Sequence, residues 1–168
     1  VKFLWIIPLA VAIDQASKLI VRGSMALHQS DPVWGDFFRL TYIHNPGAAF
    51  GLNLGSPLLH TAFSFLAFGI LVYLYRSLAA NERLLRLALC LVLGGAVGNI
   101  IDRLYLGAVV DFLDFGFGDL RWPIFNFADS FVTVGVLLLL LGYSRREKTD
   151  GCPKQPSSPA PEEETVQP

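Results

Sequence analysis

Four long apolar stretches organise the chain, at about 3–21, 57–78, 84–104 and 127–143. Each approaches the roughly 20 residues that cross about 30 Å of hydrocarbon, so each is predicted to be a transmembrane helix. The first resembles a cleavable signal peptide, but no small-residue cleavage site follows it. It also holds Asp14, Gln15 and Lys18, and it reads as a retained span carrying functional polar groups.

Cations set the expected direction of these spans. Arg76, Arg83 and Arg86 cluster around the link between the second and third; Arg145, Arg146 and Lys148 follow the fourth; Lys2 precedes the first. Both termini and the middle link are therefore expected in the cytoplasm, with residues 22–56 and 105–126 outside. In the first outer loop, Phe37 to His44 is rich in β-formers and Asn45-Pro46-Gly47 supplies a turn. Residues 48–52 are expected to return as a second strand of a small outer sheet. The second outer loop mixes Phe112, Phe115, Phe117 and Trp122 with Asp111, Asp114 and Asp119. It reads as an interfacial helix or loop whose aromatics dip into the headgroup region while Asp114 and Asp119 are solvated. The expected fold class is an all-α membrane protein with a small extracytoplasmic sheet. Residues 1–148 form one domain, and 149–168 form a disordered, Pro- and Glu-rich cytoplasmic tail.

Composition strengthens the membrane reading. The 168 residues are 53% hydrophobic and only 16% charged, with mean hydropathy +0.49, against about 25% charged in an ordinary soluble domain. The net charge of −1 and the lack of a basic aromatic face argue against nucleic acid. Cys90 and Cys152 fit neither a disulfide framework nor a metal site.

Ionisable groups inside a membrane are costly, and each is a candidate functional group. Asp14 and Lys18 are four apart and share a helix face. Asn99, Asp102 and Arg103 share a face at the outer end of the third span. Asp111 follows, Asn126 and Asp129 open the fourth span, and Asn45 sits in the outer loop. All converge on the outer boundary, whereas a proton-linked transporter would spread such groups over several depths. There is no HExxH, GxSxG or Walker loop, which leaves carboxylates as the chemistry. Two aspartates sharing a site hold one proton between them, so one can activate water while the other donates. Asp111 and Asp129 are the best pair. Asn126 is placed to cap the fourth helix, and the positive helix end favours an ionised Asp129. The shared proton is then expected on Asp111. Asp14 reads as a structural partner of Lys18, and Asp102 as a partner of Arg103 or a cap. Gly94, Gly95 and Gly98 open space for helix packing or for a substrate chain.

Five blocks carry a resemblance: Asp14 to Lys18, Asn45 to Gly51, Gly94 to Arg103, Val109 to Phe112, and Phe125 to Ser130. In this order they resemble the lipoprotein signal peptidases (signal peptidase II), with Ser17 where Thr is frequent. The resemblance implies an aspartic endopeptidase of the bacterial inner membrane that needs no cofactor or metal. It implies cleavage of prolipoprotein signal peptides just before a diacylglyceryl-modified cysteine, and sensitivity to globomycin. It carries catalysis onto Asp111 and Asp129, with Asn45, Asn99, Arg103, Asn126, Asp14 and Lys18 binding substrate or supporting the site. The enzyme is expected to act as a monomer on substrate and lipid at the outer leaflet. A non-catalytic membrane assembly protein and a lipid-headgroup transferase are weaker alternatives. The first does not need two interface aspartates, and the second lacks its spaced acidic metal motif.

Overall fold

The computed structural model describes residues 3–47 and 56–150. Among these residues, four helices, α1 (Ile6–Ser24), α2 (Pro57–Ser77), α3 (Arg83–Leu106) and α4 (Phe127–Asp150), accompany four strands: β1 (Ser30–Trp34), β2 (Phe38–Asn45), β3 (Val109–Phe117) and β4 (Leu120–Arg121). The strands form one antiparallel sheet in the order β1-β2-β3-β4.

Among the described residues, three helices are long and apolar enough to cross a membrane: Leu58–Ser77, Arg83–Leu106 and Phe127–Ser144. The expected first span, α1, is not among them, because Asp14, Lys18 and Arg22 interrupt its apolar sequence. α3 is the hub. It packs against α1, α2 and α4, and just over half of its span is buried, whereas few residues of the α2 and α4 spans are. Leu58, Phe63, Leu66, Ile70 and Tyr73 of α2 all face outward. An apolar surface of this extent needs an apolar solvent.

The glycines of α3 serve helix packing. A Cβ at Gly94 would lie 2.7 Å from Ala10 Cβ on α1, and one at Gly95 would strike the Ala128 carbonyl on α4. One at Gly98 would lie 2.5 Å from Asp14 Oδ2. These positions are filled by α1 and α4, which leaves no room for the substrate chain that the sequence also allowed.

Gly107, at φ +69°, ends α3 in the left-handed conformation, and its N–H bonds to the Arg103 carbonyl at 3.1 Å. The chain then enters β3. Residues 107–123, expected as an interfacial helix or loop, thus supply two strands. Val109, Val110, Phe112 and Phe115 are good strand formers, and the aspartates among them find partners inside the fold. Val110, Phe112, Leu113 and Tyr42 pack with Val21 of α1. Asp114 is buried rather than solvated: Arg121 Nε donates to it at 2.7 Å and Thr41 Oγ1 at 2.7 Å. Asp119 is exposed. The expected return strand at 48–52 lies outside the described residues, and β2 pairs with β1 and β3 instead. α4 continues through residues 149 and 150, the first two of the expected tail; 151–168 lie outside the described residues.

Candidate active site

Asp111 enters from β3, two residues into a strand whose position is set by the α3 terminus and by pairing of Ile43 with Asp111 across β2. Its carboxylate is 1% exposed. Asn45, at the end of β2, donates from Nδ2 to Asp111 Oδ2 at 2.9 Å. Asn126 donates from Nδ2 to Asp111 Oδ1 at 2.7 Å.

Asp129 sits in the first turn of α4. Asn126 Oδ1 accepts the Asp129 N–H at 2.9 Å, and Asp129 Oδ2 accepts the Asn126 N–H at 3.3 Å. This reciprocal cap satisfies helix-start donors and fixes the side chain of Asp129. Asn99 of α3 donates from Nδ2 to Asp129 Oδ1 at 2.8 Å. The amide of Asn126 also reaches Asn99 Oδ1 at 3.2 Å. Two asparagines therefore join the two aspartates into one network.

Asn45, Asn99, Arg103, Asp111 and Asp129 line one cavity of about 740 Å³, whose remaining wall is largely apolar: Trp122, Ile124, Phe125, Val132, Val136 and Leu137. Arg103 donates to the Gly47 carbonyl at 3.4 Å. Burial pushes the Asp111 carboxyl up to about 7, opposed by the Asn45 hydrogen bond and reinforced by the negative charge of Asp129. The direction agrees with a proton residing on Asp111. Among the described residues no cluster of His, Cys, Asp and Glu is suited to hold a metal ion.

A family model described as signal peptidase (SPase) II matches residues 6–145. The chain belongs to the signal peptidase II family. A lipoprotein signal peptidase of Moorella thermoacetica is 47% identical over 137 residues, which cover 82% of this chain and 89% of that one. Another, from Symbiobacterium thermophilum, is 48% identical over 132 residues, covering 79% and 87%. A solved structure described as a bacterial membrane enzyme, obtained by the in meso method at 2.3 Å, superposes with TM-score 0.81 at 31% identity, covering 93% of this chain and 94% of that one. Membership makes this chain an aspartic peptidase of the signal peptidase II type, and its apolar helices fit a bacterial membrane protein.

The remaining polar residues of this peptidase lie behind the pair. Asp14 and Lys18 are 0% and 2% exposed and 2.8 Å apart. Asp102, read from sequence as a partner of Arg103 or a cap, instead pairs with Lys18 at 2.8 Å. Adjacent helical residues point about a third of a turn apart, so Asp102 turns inward and Arg103 to the cavity. Gln15, noted in sequence only as one of the polar groups of the first span, takes a place in the site. Its amide donates to Asp14 Oδ2, Asp102 Oδ1 and the Gly98 carbonyl, each at 3.1 Å. Its place beside Asp14 in a largely apolar helix was the available signal.

Proposed function

We propose that this peptidase removes signal peptides from prolipoproteins at the outer face of the bacterial inner membrane, with Asp111 and Asp129 as its catalytic pair. One observation supports the pair above others. Both carboxylates open onto the same cavity, and two asparagines bridge them.

The chemistry follows from their surroundings. Asp129 acts as the base and Asp111 carries the proton. A water between them gives its proton to Asp129 as its oxygen attacks the scissile carbonyl carbon, while Asp111 protonates the carbonyl oxygen. The resulting diol collapses. The C–N bond breaks, the proton on Asp129 passes to the leaving nitrogen, and a diol proton returns to Asp111. No metal or covalent intermediate is required. Asn45, Asn99 and Asn126 hold the two carboxyls, and Arg103 on the cavity wall is placed to contact substrate. Asp14 and Lys18 support the pair from behind.

The apolar wall of the cavity runs along α4 through Val132, Val136 and Leu137. It suits the acyl chains of a diacylglyceryl-modified cysteine, with cleavage just before that residue. We read α1 as a fourth span. Asp14 and Lys18 turn inward and Arg22 stands exposed in the last turn, while Leu9, Ile13, Leu19 and Ile20 are exposed. Both termini are then cytoplasmic, and one chain holds a complete site and acts as a monomer.

The test is cleavage of a diacylglyceryl-modified prolipoprotein peptide in lipid, with chelator present. Activity is expected to persist with chelator and to fall about 100- to 10,000-fold in Asp111→Asn and in Asp129→Asn. Near-normal turnover by either variant removes that residue from the mechanism.

A further inference from the structure

Two backbone amides beside the catalytic pair are held from behind it in the same way. Ala128, immediately before Asp129, gives its N–H to Asp14 Oδ1 at 2.9 Å. Val110, immediately before Asp111, gives its N–H to Asp102 Oδ2 at 3.1 Å. Asp14 belongs to α1 and Asp102 to α3, and a single ammonium group joins them. Lys18 Nζ lies 2.8 Å from Asp14 Oδ2 and 2.8 Å from Asp102 Oδ2. Its third hydrogen bond goes to Asn99 Oδ1 at 3.0 Å, on the asparagine that donates to Asp129. The amide of Gln15 doubles the link by reaching both carboxylates.

We propose that Lys18 is a positioning residue that fixes the spacing of Asp111 and Asp129 by tying together the two carboxylates that hold their backbones. The proposal rests on the assignment of those two aspartates as the catalytic pair.

Three physical points support it. First, a side chain moves with its backbone, so the amides of Val110 and Ala128 are effective places from which to set where the two carboxyls stand. Misplacement by about 1 Å can cost about 100-fold in rate. Second, an ammonium has three hydrogens on a compact centre, and Lys18 meets three acceptors; a planar guanidinium does not match that arrangement. Third, a buried ion triad is a poor source of net stability, because desolvation offsets the attraction. What it supplies is fixed geometry. Without the ammonium, Asp14 and Asp102 face each other as like charges and push apart, and Ala128 and Val110 move with them. Gly98 is part of the same device, since the bare backbone of α3 is what admits Asp14 to this position.

The test uses the full-length enzyme in lipid and the diacylglyceryl-modified peptide as substrate. The variants are Lys18→Met, Asp14→Asn, Asp102→Asn and the double Asn variant. Lys18→Met is expected to lower kcat roughly 10- to 100-fold while KM stays within about twofold, because the cavity lining is untouched. Lys18→Arg is expected not to restore kcat. The double Asn variant is expected to fall no further than the worse single, because both carboxylates serve one tie. A folded Lys18→Met enzyme with normal kcat overturns the proposal. So does a KM that rises in step with the fall in kcat, or single Asn effects that multiply in the double variant. If Lys18→Met does not accumulate, the Asn set decides by that last criterion. Full activity of Lys18→Met beside an inactive Asp111→Asn sinks the tie alone; full activity of Asp111→Asn sinks the catalytic assignment.

Discussion

Asp111 is a buried strand residue whose carboxyl keeps its proton to about pH 7, chiefly because burial disfavours its charge. In the proposed mechanism that proton is needed, so kcat/KM is expected to fall as pH rises through about 7. The Asn45 hydrogen bond favours the charged form. Asn45→Ala is therefore expected to move the alkaline limb to higher pH, as well as lowering the rate; a pH–rate profile of the variant that moves downward would contradict this. Stability carries the same sign. The folded value lies above the ordinary 3.8, so the contribution of this group is full below about pH 4 and is lost as pH rises through about 7. Asp111→Asn escapes that loss. Its melting temperature is expected to gain on the parent enzyme between pH 5 and pH 8, and an unchanged difference would count against the burial argument. At this scale the sequence picked out the residues that one cavity brings together, Asn45, Asn99, Arg103, Asp111 and Asp129, because polar groups in apolar runs stand out. It did not expose their partners. Asp102 adjoins Arg103 in sequence yet binds Lys18, and Asp114 is buried only because Arg121 and Thr41 reach it through the sheet.

Helices and strands differed in how readily their patterns could be read. The cores of α2, α3 and α4 follow from uninterrupted apolar sequence, and their ends from Gly107 and Asn126. β3 was obscured because three of its positions look like solvated loop residues: Asp111, Asp114 and Gly116. Their partners are Asn45 and Thr41 on β2, far back along the chain, and Arg121 and Asn126, which only the turn of the sheet brings round to face them. The α3 glycines give the prediction that belongs to this scale. Gly98→Ala puts a methyl 2.5 Å from Asp14 Oδ2, an atom that Lys18 and Gln15 hold in place. Overpacking of this kind costs about 1–3 kcal/mol, and loss of both stability and kcat is expected. On α2, a Cβ at Gly69 meets nothing within 4 Å. Gly69→Ala is expected to leave turnover unchanged and to raise melting slightly through helix propensity, and the pair of variants, compared by thermal melting and peptide cleavage, separates packing from helix propensity.

The whole molecule places a sheet and a cavity at one end of a helix bundle, with the α2–α3 link at the other. If α1 spans the membrane with the rest, residue 81 lies in the cytoplasm and residue 119 outside. In a Cys152→Ser background, Asp119→Cys is expected to react with an impermeant thiol reagent added to intact spheroplasts, and Asn81→Cys only after lysis. The reverse pattern would invert the orientation. The exposed face of α2 offers a second check. A lysine in place of Ile70 is expected to cost about 2.5–3.5 kcal/mol of insertion, read as lost membrane-integrated protein.

Position 126 also explains why a helix start that usually tolerates four residue types has so little freedom here. Asn, Asp, Ser and Thr all serve well as the first cap of a helix. Asn126 must do more, because one end of its side chain receives the N–H of Asp129 and the other gives a hydrogen to Asp111. Serine and threonine are too short to bridge both neighbours. An ionised aspartate would have no hydrogen to give Asp111 and would set a second negative charge beside Asp129. Of the four, only the carboxamide offers an acceptor and a donor about 2 Å apart, so the α4 cap and the peptidase site constrain the choice of residue together.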